Sequence, residues 1–148
     1  MEKTKIENST QFLGLIFDSR LTWKEHIDYI QNNGKKSLKL MRSVAGNAWG
    51  CNKKALYTIY KSLIRSLLDY GCIAFDSACN SLKEKLNVIQ AKALRICCEA
   101  FITTPITALQ VNCGEASLQL RRQQQLLKSS VKIKSIENNP SQLILWDH

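Results

Sequence analysis

The chain has 148 residues, 45% of them hydrophobic and 22% charged, with a formal net charge of +9. That length suits one hydrophobic core rather than two, and two prolines with six glycines leave long uninterrupted segments that favour helices over a sandwich of short strands. No apolar run reaches the ~18 residues a membrane span needs, because Lys61, Arg65 and Asp69 interrupt the best one. The opening MEKTKIENST has no hydrophobic stretch of the kind a cleaved leader carries, so an intracellular chain with no membrane partner is expected.

The first apolar run, TQFLGLIF at 10–17, is rich in aromatic and β-branched residues and predicts a short strand, with Lys3 to Ile6 as a weak second one. A single strand or two-stranded ribbon is marginal by itself. Everything after residue 22 reads helical, so this piece of sheet points to missing neighbours: a truncation, an obligate partner, or self-association through the strand. Asp18-Ser19-Arg20-Leu21 reads as a turn, and Thr22 with Glu25 fits a capping box that opens the first helix. Ile27, Ile30, Leu38, Met41 and Ala45 form its apolar stripe, with Gly34 lying on it, while Lys24, Lys35, Lys39 and Arg42 share a flank. Gly46-Asn47 and Trp49-Gly50 break that helix, Trp49 is expected to pack at the corner, and Asn52 is the expected cap of the next helix.

Asn52 to Phe75 reads as one long amphipathic helix. Leu56, Ile59, Tyr60, Leu63, Ile64, Leu67 and Leu68 fall on one side, and Lys54, Lys61 and Arg65 on nearly the opposite one. Tyr70-Gly71 marks either its end or the close approach of a neighbour. Ser81 and Glu84 form a second capping box, opening a helix whose stripe is Leu82, Leu86, Ile89, Ala93, Ile96 and Cys97. Thr104-Pro105 starts a short helix to about Val111. A last, basic helix runs from about Ser117 to Ile136, and a loose tail follows. The fold class expected is mainly α: a small helical bundle preceded by a short β-strand or ribbon.

The charge distribution says more than its sum. Residues 29 to 68 contain no acid, yet hold Lys35, Lys36, Lys39, Arg42, Lys53, Lys54, Lys61 and Arg65. A one-sign block across two helices fits a polyanionic partner, with nucleic acid the natural one; the bland alternative is a basic surface with no dedicated ligand. Tyr57, at the edge of the apolar stripe, is a candidate for stacking on a base. Catalytic patterns are missing from the sequence: no glycine-rich phosphate loop, no HExxH, no GxSxG, and no convincing pair of convergent carboxylates. Asp18 and Asp69 read as local caps or ion-pair partners. Six cysteines without a CxxC pair, and histidines only at 26 and 148, exclude ordinary zinc spacing, so structural thiols in a reducing compartment are expected. On chemistry alone, the chain binds something and does not react with it.

Five segments, in order, resemble the reverse transcriptases of non-LTR (LINE-type) retrotransposons, in the region that leaves the palm and enters the thumb. They are FLGLIFDSRLTWKEHI at 12–27, WGCNKKALYTIYKSLIRSLLDYGC at 49–72, LNVIQAKALRI at 86–96, TTPITALQVNCGEASLQLRR at 103–122, and the basic helix that follows. The resemblance spans 12 to about 136 and implies residues 1–21 as the end of the palm, 22–137 as a thumb-like bundle and 138–148 as a tail. It implies that Phe12, Leu13 and Gly14 belong to the primer-grip turn, and that the helices rest on an RNA/DNA template–primer duplex. In that family the catalytic aspartates lie upstream, in the palm, where the parent polymerase would use Mg2+. No paired-aspartate motif stands here, so the chain is expected to be a C-terminal fragment without cofactor or activity of its own, with the palm as its missing partner. The alternatives are a basic helical protein-interaction module and a decayed, non-functional copy. Three departures stand out: Phe75 where the family often has Trp, Glu99 where Gly is usual, and Ala116-Ser117 in place of a proline-containing turn.

Overall fold

The computed structural model describes residues 9–46 and 52–136. The expectations for Lys3 to Ile6, Trp49 and the 138–148 tail lie outside these residues. The elements are β1 (Ser9–Phe12), β2 (Leu15–Asp18), α1 (Lys24–Val44), α2 (Lys53–Ile59), a π-helical segment (Tyr60–Arg65), α3 (Ser66–Asp69), a 3-10 turn (Ala74–Ser77), α4 (Asn80–Cys98), α5 (Ile106–Cys113) and α6 (Leu118–Ser135). The mainly helical class holds.

Residues 10–17 are not one strand but an antiparallel hairpin, with Thr10 opposite Phe17 and Phe12 opposite Leu15. Leu13 and Gly14 form its two-residue loop at φ 47° and 79°. Two positive φ values match the twist of the flanking strands. Glycine meets that requirement without strain, whereas Leu13 is an uncommon occupant. The hairpin is docked on the bundle. Phe17 packs its ring 5.1 Å from that of Trp23, Ile16 N donates to His26 Nδ1 at 3.4 Å, and Tyr70 Oη donates to the Leu13 carbonyl.

α1 starts one residue later than the Thr22–Glu25 box predicts, with Trp23 at the N-cap position. Asp18, back at the end of β2, accepts Thr22 N and Trp23 N at 2.9 Å and Thr22 Oγ1 at 2.7 Å. Its carboxylate satisfies the Thr22 donor that the box would have served, and Trp23 N besides. Burial opposes ionisation there, but these hydrogen bonds outweigh it and hold the Asp18 carboxyl at about 2. The Ser81–Glu84 box does not form either: α4 begins at Asn80, Ser81 Oγ lies 3.1 Å from Cys79 Sγ, and Glu84 accepts from Asn87 at 2.8 Å. Asn52 and Ser117 do cap their helices through the side chain, onto Ala55 N and Leu120 N.

The long helix expected over 52–75 is a continuous rod only over 53–69, and its middle is π-helical, with Ser66 N bonded to the Lys61 carbonyl five residues back. The fully buried residues Leu56, Tyr60, Ile64 and Leu68 recur every fourth position. In a pure α-helix each such step overshoots the turn by about 40°. The wider π turn advances less per residue and brings the row back onto one line. Leu63, placed on the same stripe by the α period, is consequently 39% exposed. The rod ends at Tyr70-Gly71.

The core joins Trp23, Ile27, Ile30, Leu38 and Met41 of α1 and its approach, the Leu56–Leu68 row, Phe75, Leu86, Ile89, Ala93, Leu94 and Cys97 around α4, Leu109 and Leu118. α1 and α4 meet closely at Gly34, where an added Cβ would lie 2.9 Å from Ile89 Cγ2. Phe75, in the place often held by Trp in the resembled family, is fully buried beside the His26 ring. Both α4 and α5 end in the same backbone arrangement. Glu99 and Gly114 take left-handed φ values of 50° and 63°, and Ala100 N and Glu115 N bond back to the Arg95 and Gln110 carbonyls. Glu99 thus occupies a position whose geometry favours glycine.

Candidate nucleic-acid interface

The eight cations singled out by the sequence do not form one uniform face. Lys35, Lys39 and Arg42 stand on one side of α1 at helical spacing, Lys36 is turned about 100° from Lys35, and all four are exposed. Arg42 borders a shallow hollow of about 420 Å³ with Lys92, Arg95, Ile96, Ala100 and Ile102. The basic surface of α1 therefore extends onto α4, through Lys92 and Arg95. Arg95 also donates to the Thr104 carbonyl at 3.1 Å.

On the other helix the cations are differently engaged. Lys53 donates to Asn112 Oδ1 at 2.8 Å, and Lys61 sits 4.3 Å above the centre of the Tyr57 ring. Arg65 is held 3.0 Å from Glu115 Oε1 and 3.8 Å from Asp69 Oδ2. It belongs to an internal network rather than to an open basic face. Lys54 is exposed beside a smaller hollow of about 310 Å³ lined by Lys53, Tyr57, Asn112 and Cys113. Among the described residues, Lys35, Lys36, Lys39, Arg42 and Lys54 have no ion-pair partner.

The network around Arg65 was not legible in the sequence. Glu115, buried just after α5, accepts from Tyr57 Oη and from Arg65, and Asp69 receives Arg121 through two guanidinium nitrogens. Gln90, wholly buried, donates to Tyr60 Oη at 3.4 Å and to the Ala116 carbonyl at 3.2 Å. Tyr57 is thus not a free stacking platform. Its ring stacks on Tyr60 with centroids 5.8 Å apart, and burial followed by the Glu115 carboxylate pushes its hydroxyl well above the usual phenol range. Asp18 and Asp69 act as cap and ion-pair partner respectively.

The turn residues Phe12, Leu13 and Gly14 lie together at the hairpin tip, with Phe12 63% and Leu13 73% exposed. Leu13 and Gly14 face Tyr29, Leu63, Ser66, Leu67 and Tyr70 across an open hollow of about 530 Å³. Among the described residues no group of three or more His, Cys, Asp or Glu side chains is placed to hold a metal ion, and no helix is long and apolar enough to cross a membrane.

Comparison with known proteins finds relatives of one kind. The chain is 29% identical over 103 residues to a probable RNA-directed DNA polymerase from transposon X-element of Drosophila melanogaster, a match covering 64% of this chain and 11% of that protein. It is 29% identical over 85 residues to the RNA-directed DNA polymerase from mobile element jockey of the same organism, covering 57% and 9%. It is 26% identical over 108 residues to a retrovirus-related Pol polyprotein from type-1 retrotransposable element R1 of Nasonia vitripennis, covering 72% and 32%. The chain is thus similar to retrotransposon reverse transcriptases, and spans about a tenth of the first two and a third of the last. No family model and no solved structure matches.

Proposed function

We propose that this chain is the thumb and primer-grip portion of a retrotransposon RNA-directed DNA polymerase, and that it holds the template–primer duplex by its phosphate backbone without performing chemistry. The observation that carries this reading is the row Lys35, Lys39 and Arg42, exposed on a rigid 21-residue helix with no acidic partner among the described residues, and continued by Lys92. Phosphate contacts need long cationic side chains on a firm support. The hairpin tip at Phe12, Leu13 and Gly14, held to the rod through Tyr70, is the primer-grip element of this reading. Mg2+ belongs to the palm of the parent polymerase. The acids Asp18, Asp69 and Glu115 are engaged by backbone donors or cations, and do not fit as a metal site.

The test is a salt titration of duplex binding. Lys35→Gln, Lys39→Gln and Arg42→Gln together are expected to flatten the plot of log K against log salt by about 0.9 per phosphate contact removed. Lys128→Gln, on α6, should leave it nearly unchanged. An unaltered slope in the α1 triple variant would remove this face as the contact surface.

A second reading, as a protein-interaction module, is favoured by one observation: the exposed apolar tip at Phe12 and Leu13. It predicts self-association of the full chain that Phe12→Lys abolishes in light scattering; a chain monomeric with Phe12 intact defeats it.

A further inference from the structure

α4 and α5 each end on a cysteine, Cys98 and Cys113, and the two sulfurs lie 2.9 Å apart. This is closer than two unbonded sulfurs ordinarily rest, and both side chains are only half-buried, so a small oxidant can reach them. The other described cysteines differ. Cys72 and Cys97 are buried, and Cys79 is exposed with Ser81 as its side-chain neighbour. The geometry points to Cys98 and Cys113 as a dithiol oxidation site, reduced under reducing conditions and closed to a disulfide by a low-molecular-weight disulfide such as oxidised glutathione. This inference is independent of nucleic-acid binding.

The step balances as two exchanges. The thiolate of one cysteine attacks the small disulfide, forming a mixed disulfide and expelling one small thiolate. The second cysteine, as thiolate, attacks the protein sulfur of that mixed disulfide, forming the Cys98–Cys113 bond and releasing the second small thiolate. Two protein thiols are oxidised, one small disulfide is reduced to two thiols, and the two cysteine protons pass to the leaving thiolates. Burial, and then the Cys98 sulfur, push the Cys113 thiol up to about 12, so its thiolate is scarce at neutral pH and the exchange speeds up as pH rises. The positions the bridge would join are already fixed by the backbone: each helix end is closed by its left-handed residue and return hydrogen bond, so little rearrangement is needed. Cys113 also lines the hollow beside Lys53 and Lys54, so the bridge would pin the floor of that basic hollow to the end of α4.

The experiment uses the full chain carrying Cys79→Ser, which removes the exposed competitor among the described cysteines, incubated with oxidised glutathione and then blocked and digested. The expected result is a linked peptide pair joining Cys98 to Cys113, two fewer free thiols, and a melting temperature higher by roughly 6–12 °C, as closing a 15-residue separation predicts for a chain of this size. All three changes should reverse with dithiothreitol and be missing in Cys98→Ser and Cys113→Ser, each of which keeps a side chain of similar size. A stable glutathione adduct without the internal bridge would overturn the proposal, as would a bridge to any other cysteine.

Discussion

If the hairpin and the helical bundle form one packed unit, the contact at Gly71 should be expensive to disturb. Gly71 sits at φ +65°, and an ideal Cβ there would lie 2.5 Å from Leu15 Cδ2 on β2. Gly71→Ala therefore meets two costs. A left-handed alanine is disfavoured by about 1 kcal/mol. The overlap with Leu15 adds about 1 kcal/mol, because the atom met is the end of a half-buried leucine side chain that turns aside at the cost of leaving its rotamer. The sum, about 2 kcal/mol, should appear as a lower urea midpoint with unchanged slope. Leu15→Ala alone should cost about 1–2 kcal/mol for lost burial, but in the double variant it relieves the overlap. The double variant should then be more stable than the two single effects sum to, by about 1 kcal/mol. If the hairpin were a loose appendage, Gly71→Ala would cost only the backbone part, and the two changes would add to within about 0.5 kcal/mol. That additive result would refute the docking.

Glu99→Gly should stabilise the chain by about 1 kcal/mol, read from a thermal or urea midpoint, since Glu99 caps α4 at φ 50°; a loss would mean its side chain makes a contact of greater value. His26 is buried among Trp23, Tyr29 and Phe75, and burial lowers its pKa below 6.5, while its Nδ1 accepts from Ile16 N. The unfolded chain thus binds a proton that the folded one refuses: stability should be full above pH 6.5 and fall below it, with a slope approaching 1.4 kcal/mol per unit, and His26→Gln should flatten that fall. Glu115→Ala strands Tyr57 and Arg65, and should cost about 2–3 kcal/mol in urea unfolding after allowance for the partial exposure of Arg65; a cost under about 0.5 kcal/mol would mean that the network contributes nothing net.

Much of the bundle was legible because α1 and α4 keep the ordinary helical period, so Ile27, Ile30, Leu38 and Met41, and likewise Leu86, Ile89 and Ala93, are buried as their spacing demands. The parts that were not legible depend on choices with no side-chain signature. A π segment differs from α in which carbonyl each N–H reaches, and nothing in YKSLIR announces that. The hairpin hides behind an unbroken apolar run because its turn uses Leu13-Gly14 where Asn-Gly would have been readable. The cap of α1 comes from Asp18 rather than Thr22 because the backbone reverses between them, with Leu21 N bonded to the Asp18 carbonyl. The engagement of the basic block was hidden for a related reason. Residues 29 to 68 are free of acids along the chain but not in space, since Glu115 folds back 50 positions to meet Arg65. In sequence Arg65 and Lys39 are equivalent members of one charge block; in the fold one is tied inward and the other is left facing solvent. That sorting, which only the tertiary structure supplies, is why the binding test falls on α1 and not on the rod whose charges first marked the block.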